Sequence, residues 1–183
     1  MANPVYVVFH APIDGNTSQQ LISTCTQLVN AGHDEIFILI STPGGNVMSG
    51  ITIYNTLRAL PCKITTHNVG NIDSIGNAIF LAGEDRFACK HSTFMFHGVG
   101  IQMNANIEEK AARELVDSIL ANQKRIGDII QERTQIPAGE VGELFREART
   151  KDADAALAAG IVMEIAEVAI PKGVPIVSLV LNT

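Results

Sequence analysis

The stretch IFILISTPGGNVMSGITIYNTLRA, residues 36–59, decides the fold. Its first five residues, IFILI, are uniformly apolar, which is typical of a strand buried on both faces of a parallel sheet. The turn STPGGN follows at 41–46, and a helical stretch follows at 47–59. A strand, a glycine-containing turn and a helix in this order form part of a βαβ unit. The stretch therefore predicts an α/β fold with a mainly parallel sheet.

The same alternation of strand and helix extends to both sides of this stretch. Before it, VYVVF at 5–9 is rich in β-branched and aromatic residues and predicts a strand. Residues 17–31 carry apolar side chains at helical spacing, with Thr17 or Ser18 placed to cap the helix. After it, the predicted elements are strand 63–69, a helix of small residues at 74–82, two short strands within 86–98, short helices at 138–146 and 152–159, and strands at 161–165 and 174–181. No repeat or linker interrupts the pattern, so residues 1–183 are expected to form one domain.

The composition excludes several classes of protein. The chain has 183 residues, of which 46% are hydrophobic and 17% charged, and this excludes a disordered or fibrous chain. Its formal net charge of -6 argues against a nucleic-acid partner, which needs a basic surface. No run approaches the ~20 apolar residues of a membrane span, and the first residues lack the features of a signal peptide. We therefore expect a cytoplasmic protein that has no membrane partner.

Neither the cysteines nor the histidines are spaced as metal ligands. The three cysteines are odd in number and scattered, and no Cys-x-x-Cys pair occurs, which argues against a disulfide framework and a zinc ribbon. Apart from His97, the histidines show no ligand-like spacing with acids or cysteines. The sequence therefore predicts no metal site.

The segment 106–133 is a long amphipathic helix. Its apolar positions recur at helical spacing, and they are Ile107, Ala111, Leu115, Ile119, Ile126 and Ile130. A helix of this length would extend about 42 Å. It either projects beyond the body of the protein or packs on a partner, which predicts a homo-oligomer.

Three features are candidates for chemistry, and each has a structural alternative. The turn 41–46 is either an oxyanion site built from main-chain N–H groups or an ordinary tight turn. The turn 70–78 places Ser74 between a strand and a helix, where a serine is either an exposed nucleophile or a helix cap. His97 leaves an apolar strand into a loop, which suits either a general base or a structural histidine.

In their order and spacing, these features resemble the proteolytic subunits of the Clp protease family, which are serine peptidases with a crotonase-like fold. The resemblance covers roughly residues 5–165. It rests on segments similar to the family's Ser-Pro-Gly-Gly, Ala-Gly-x-x-Ile-Tyr, Gly-x-Ala-Ala-Ser-Met-Gly, Met-Ile-His and Glu-Ala-x-x-x-Gly-Leu-Val patterns, at 41–45, 49–54, 70–76, 95–97 and 155–162. It implies an α/β fold of stacked ββα units from which the helix 106–133 protrudes as a handle.

The resemblance also implies a site and a mechanism. It puts the nucleophile on Ser74, the general base on His97 and the oxyanion-binding N–H groups on Gly45 and Ile75. The reaction would be cleavage of a peptide or an unfolded protein by serine attack, without a cofactor. The implied assembly is a homo-oligomer of stacked rings, with the handle helix interdigitating between the rings.

The sequence departs from the family's pattern in three places. Counting back from the last helix, the family's triad aspartate falls on Ala148. Glu147 and Asp152 lie nearby as candidates for the third acid, although Asp152 also suits the N-cap of that helix. Asp73 replaces a small residue before the nucleophile and would disfavour an oxyanion if it faced the site. The family's N-terminal pore segment does not precede the first strand, so an ATPase partner is left open.

Three functions follow from these features. The first is a serine endopeptidase, with activity lowered by the missing acid. The second is a Clp-like scaffold or maturation protein with little or no activity, which the missing aspartate favours. The third is another crotonase-fold enzyme that acts on acyl-CoA. That class also binds an oxyanion with paired N–H groups, but it uses acidic catalysts and does not need Ser74 together with His97.

Overall fold

The computed structural model describes residues 3–101 and 106–179. Its strands are β1 (Pro4–His10), β2 (Glu35–Thr42), β3 (Lys63–Asp73), β4 (Asp85–Ala88), β5 (Thr93–Met95), β6 (Thr150–Asp152), β7 (Glu164–Ile165) and β8 (Ile176–Ser178). Its helices are α1 (Gly15–Asn30), α2 (Val47–Ala59), α3 (Gly76–Phe80), α4 (Glu109–Arg133), α5 (Ala138–Glu147) and α6 (Ala153–Ala158). The alternation predicted outward from 36–59 is confirmed.

The strands form one sheet in the order β6-β5-β3-β2-β1-β8, with β4 paired to β3 and β7 paired to β4. Within the described residues, every strand pair is parallel except β5 with β6. Strand β2 lies between β1 and β3, and Ile36, Ile38 and Ile40 on it are completely buried. The uniformly apolar run therefore belongs to a central strand, and the α/β fold with a mainly parallel sheet is confirmed.

The longest strand, β3, pairs with different strands along its length. Its residues 65–68 lie beside β4, and its residues 71–73 lie beside β5. Strands β2, β3 and β5 are mutually parallel where they pair, so the turns that follow them meet at one edge of the sheet. These turns carry the glycine pair, Ser74 and His97, and the fold thereby brings three distant segments together.

Two helices begin differently from the prediction. Helix α1 is capped by Asp14, and not by Thr17 or Ser18. The Thr17 N–H donates to Asp14 Oδ1 at 2.8 Å and the Asp14 N–H donates to Thr17 Oγ1 at 3.0 Å, so Thr17 is the second member of a capping box. Helix α3 begins at Gly76 rather than at 74, because Ser74 occupies a turn of its own.

The long helix α4 is confirmed, although it begins three residues later than predicted. Its 25 residues extend about 38 Å. Ile126 and Ile130 in its second half are buried, whereas Val116 and Leu120 in its first half are 53% and 57% exposed. Leu115 and Ile119 of the predicted stripe are half-buried, so the large apolar side chains of the first half that the described part of the chain leaves uncovered are Val116 and Leu120. Among the described residues, no helix has the length and apolar character needed to cross a membrane.

Strand β6 was not predicted, because its sequence Thr-Lys-Asp lacks an apolar pattern. It pairs antiparallel with β5, and helix α6 begins directly after it, at Ala153. The last predicted strand, 174–181, is confirmed over Ile176–Ser178, and its residues 180 and 181 lie outside the described residues.

Candidate active site

Ser74 lies on a strained turn between β3 and α3. Its φ angle is 57°, in the left-handed region that residues other than glycine seldom adopt. The Ser74 N–H donates to the Met95 carbonyl at 2.9 Å, which ties the turn to the end of β5. The N-cap of α3 is Ile75, and no side chain caps that helix. Ser74 therefore does not cap α3, and a strand–turn–helix connection of this kind can expose a serine at the end of a sheet.

Asn77 holds the Ser74 turn from inside the core. It is 1% exposed, and its Nδ2 donates to the Ser74 carbonyl at 3.0 Å and to the Met95 carbonyl at 2.8 Å. The Asn77 amide therefore joins the serine turn to the strand that leads to His97. Asn77 was not among the predicted site residues. The one signal for it is an amide in an apolar helix of small residues, since a buried polar group needs partners.

The glycine turn after β2 lies directly against Ser74. A Cβ atom on Gly44 would lie 2.7 Å from Ser74 Cβ and 2.7 Å from the Asp73 carbonyl oxygen, so only glycine fits. The Ile13 N–H donates to the Gly44 carbonyl at 2.8 Å, and the Asn46 N–H donates to the Ile13 carbonyl at 2.7 Å. These bonds fix the turn at the close approach that an oxyanion site needs.

Two main-chain N–H groups beside the serine have no acceptor among the described residues. Gly45 pairs with Ile13 in an isolated parallel bridge. The residues flanking Gly45 make the hydrogen bonds of that bridge, so the Gly45 N–H points away from Ile13. The Ile75 N–H follows the serine at the start of α3, where N–H groups lack intrahelical partners. Such donors can stabilise an oxyanion if they converge on one point.

His97 follows β5 and has a rigid mount. The Phe96 N–H donates to the Arg149 carbonyl at 2.8 Å. The Gly98 N–H donates to the Phe145 carbonyl, also at 2.8 Å. The ring Nδ1 of His97 lies 2.7 Å from the Gly98 carbonyl oxygen. The backbone on both sides of the imidazole is therefore fixed to the end of α5 and to the segment that follows it.

One small cavity brings three of the six predicted site residues together. It has a volume of about 70 Å³ and is lined by Gly45, Val47, Ser74, Phe96, His97, Val99, Gly100, Ile126 and Phe145. Ser74, His97 and Gly45 thus face one space, whereas Ile75 does not line it. Among the described residues, no hydrogen bond joins Ser74 Oγ to His97. Catalytic hydrogen bonds are often long without substrate and tighten when it binds.

The two candidates for a third acid have other partners. Asp152 caps α6 through a 2.8 Å hydrogen bond from a main-chain N–H. In the ladder with β5, Asp152 lies opposite Thr93. Thr93 precedes His97 by four residues, which span about 13 Å in an extended strand. Glu147 accepts a hydrogen bond from Arg149 Nε at 2.6 Å and lines a separate cavity of about 500 Å³. Within the described residues, neither carboxylate makes a hydrogen bond or a salt bridge with the His97 ring.

Ala148 lies next to the segment that carries His97. The antiparallel ladder ends with Met95 opposite Thr150, and the Phe96 N–H donates to the carbonyl of Arg149, the residue after Ala148. The register stops there, because the Gly98 N–H donates to the Phe145 carbonyl and Ala148 ends α5 with a φ angle of 50°. The position that corresponds to the family's aspartate by the count along the sequence therefore lies beside the His97 segment, and its side chain is a methyl group.

The carboxylate of Asp73 is held by its own strand. Asn71 Nδ2 donates to Asp73 Oδ2 at 2.7 Å and to the Thr42 carbonyl at 3.2 Å. Asp73 does not line the cavity that contains Ser74. Its charge is therefore paired with an amide beside the nucleophile rather than directed at the reacting atoms.

The described residues contain no group of three or more His, Cys, Asp or Glu side chains that could hold a metal ion. Cys89 Sγ lies 3.6 Å from His67 Nε2. That nitrogen also lies 2.8 Å from the Ala166 carbonyl, to which it donates, so it is not available as a base. Burial and the charge of Glu167 raise the pKa of the Cys89 thiol. This pair is consequently not an activated cysteine nucleophile.

Comparison with known proteins points to one family. The family model described as Clp protease matches residues 1–169. The ATP-dependent Clp protease proteolytic subunit 2 of Chlamydia muridarum (strain MoPn / Nigg) is 32% identical over 136 residues, which are 72% of this chain and 64% of that protein. The proteolytic subunit 1 of Chlamydia felis (strain Fe/C-56) is 33% identical over 114 residues, 60% of this chain and 54% of that protein. The chain thus covers between 54% and 64% of the length of these relatives.

Proposed function

The chain belongs to the Clp protease family and has its fold, and from this membership we propose that it is a serine-type endopeptidase. The observation that carries the proposal is that Ser74, His97 and Gly45 line one cavity although they come from three separate segments. They would supply a nucleophile, a base and an oxyanion donor, which together suffice for acyl transfer. Peptides or unfolded proteins are the proposed substrates.

In the proposed reaction, Ser74 Oγ attacks the carbonyl carbon of a peptide bond and His97 Nε2 takes the serine proton. The C–N bond breaks as His97 gives this proton to the leaving amine, and water then releases the acyl group by the same steps. The N–H groups of Gly45 and Ile75 stabilise the oxyanion of each tetrahedral intermediate. Loss of one such donor typically lowers the rate by ~10²–10³.

A fluorophosphonate probe tests this proposal. We expect Ser74 to be the serine that is labelled, as identified by mass spectrometry of the modified peptide, because nucleophilicity requires the adjacent base. Ser74→Ala removes the labelling and His97→Gln slows it, whereas Ser49→Ala, a change outside the cavity, leaves it intact. Labelling that persists in Ser74→Ala would refute the assignment.

A scaffold without activity is the second candidate, and Ala148 is the observation that favours it, because a methyl group cannot orient a histidine. Wild-type protein that is folded and assembled but fails to react with the probe, and fails to cleave unstructured peptides, would support the scaffold and reject the peptidase.

We also propose a homo-oligomer of stacked rings in which the first half of α4 packs against another subunit. Val116 and Leu120 are more than half exposed on this helix, and burying them would supply the hydrophobic contact. Light scattering should give a mass several times that of a 19.6 kDa monomer. The variant Val116→Glu/Leu120→Glu should lower it. A monomer at micromolar concentration would refute the assembly.

A further inference from the structure

The imidazole of His97 has one hydrogen-bond partner among the described residues, and it belongs to the main chain. Nδ1 lies 2.7 Å from the Gly98 carbonyl oxygen. A carbonyl oxygen only accepts, so in the neutral ring Nδ1 carries the proton and Nε2 keeps its lone pair. This is the tautomer that a general base acting through Nε2 requires.

The Gly98 carbonyl that accepts this bond belongs to a stretch of main chain that is held firmly in position. The Gly98 N–H is fixed to the Phe145 carbonyl at 2.8 Å, and a Cβ atom on Gly98 would lie 3.3 Å from that same carbonyl, so the main chain at Gly98 is tightly packed. Ala148, which precedes the Arg149 bonded to the Phe96 N–H, carries only a methyl group. No carboxylate of the described residues competes with the carbonyl for Nδ1.

We infer that the main-chain carbonyl of Gly98 is the positioning group of this site and replaces the missing acid by holding His97 in the tautomer with a basic Nε2. This inference rests on the proposed function, since it gives His97 the task of a general base. A neutral carbonyl fixes the ring and its tautomer but adds no negative charge beside the imidazolium that forms during turnover. The site would therefore work as a serine–histidine dyad with reduced turnover.

Nitrogen NMR of ¹⁵N-histidine-labelled protein tests the tautomer directly. The two ring nitrogens give well-separated signals when one is protonated and the other is not, and His97→Gln identifies the His97 signals among those of the five histidines. We expect the neutral His97 ring to carry its proton on Nδ1, and to keep it there in Glu147→Gln and Asp152→Asn. A proton on Nε2, or a tautomer that changes in either variant, overturns the inference.

A backbone ester tests the role of the carbonyl in turnover. Replacing Val99 by its α-hydroxy analogue turns the Gly98 carbonyl into a weaker ester acceptor. The only N–H that is lost is that of Val99, which has no acceptor among the described residues. We expect kcat for an unstructured peptide to fall about five- to tenfold, with KM unchanged and a larger share of the Nε2–H tautomer. The same replacement at Gly173, an exposed turn residue outside the cavity whose N–H and preceding carbonyl have no partner among the described residues, should change neither quantity.

These readouts separate the inference from the proposed function. If the wild type shows the Nδ1–H tautomer but neither labels at Ser74 nor cleaves peptides, the peptidase proposal fails while the tautomer assignment holds. If Ser74 is labelled and peptides are cleaved but the Gly98–Val99 ester changes neither tautomer nor kcat, the peptidase stands and the positioning role of Gly98 is refuted.

Discussion

Placing a carboxylate at position 148 is the most informative single change in this protein. Ala148 precedes Arg149, whose carbonyl accepts a hydrogen bond from the Phe96 N–H, so it lies next to the segment that carries His97. We expect an Asp side chain at this position to reach the imidazole of His97. The backbone also favours the change, because Ala148 has a φ angle of 50° and Asp tolerates the left-handed region better than Ala does.

The size of the effect follows from what the site already has. Losing the acid of a serine–histidine–aspartate triad costs ~10⁴ in turnover, largely because the histidine takes the wrong tautomer. If the Gly98 carbonyl already holds the tautomer, Ala148→Asp adds mainly the attraction between a carboxylate and the imidazolium. At about 4 Å this attraction is ~1 kcal/mol in water and ~4 kcal/mol at a partly buried site. We therefore expect kcat to rise by about five- to a thousandfold.

The assay is steady-state cleavage of an unstructured fluorogenic peptide by wild type, Ala148→Asp and Ala148→Asn. Asn has nearly the same shape and tolerance of the left-handed region but no charge, so the ratio of Asp to Asn isolates the electrostatic contribution. Equal rates for the two variants would refute the electrostatic argument. If Ala148→Asp gains nothing while Glu147→Gln or Asp152→Asn abolishes cleavage, another acid already serves His97.

Three further predictions concern the surroundings of the site. Asn77→Ala removes the bonds to the Ser74 and Met95 carbonyls and should slow probe labelling at least tenfold and lower the free energy of unfolding by about 1–3 kcal/mol, as measured by urea denaturation. Gly44→Ala forces a Cβ to within 2.7 Å of main-chain and side-chain atoms and should lose labelling with a similar cost in stability, whereas Gly142→Ala, with nothing within 4 Å of its Cβ, should lose neither. Burial lowers the pKa of His67 from 6.5, against the opposing effects of the Ala166 carbonyl and Glu167. The native state therefore binds fewer protons than the unfolded state just below pH 6.5. Stability should fall as the pH drops below that value, and the urea midpoint of His67→Gln should fall less between pH 7 and pH 5.

The fold could be predicted from the sequence because the patterns that indicate its strands and helices each lie within a single element. The apolar run at 36–40 and the pattern at 47–59 each arise from burial within one element, and both segments form the predicted structures. Strand β6 has no such signal, since its three residues are polar and its position depends only on pairing with β5. The N-cap of α1 was misplaced because Thr17 suits either the cap or the third position of a capping box. Only the backbone geometry distinguishes these two positions.

The site could be predicted from the sequence only in part, because its contacts join segments that are distant along the chain. Ser74, His97 and Gly45 were proposed from short motifs, and they line one cavity. Asn77 and the Gly98 carbonyl were not, since a buried amide and a main-chain oxygen leave no distinctive pattern in the sequence. Both act on atoms whose positions depend on how β3, β5 and the segment before β6 pack together. Sequence motifs therefore suggested the candidate reacting groups, whereas the groups proposed to orient them required coordinates.

The strain around Ser74 bears on the choice between a peptidase and a scaffold. A residue other than glycine in the left-handed region costs about 1–3 kcal/mol and persists only where its surroundings impose it. Here the Ser74 turn is imposed by hydrogen bonds to Met95 and Asn77 and by the close contact of Gly44. A scaffold would gain stability from relaxing this turn and would lose nothing by it, whereas a nucleophile needs its hydroxyl held at the cavity. The retained strain, together with the tautomer inferred for His97, therefore supports the proposed slow peptidase over a scaffold.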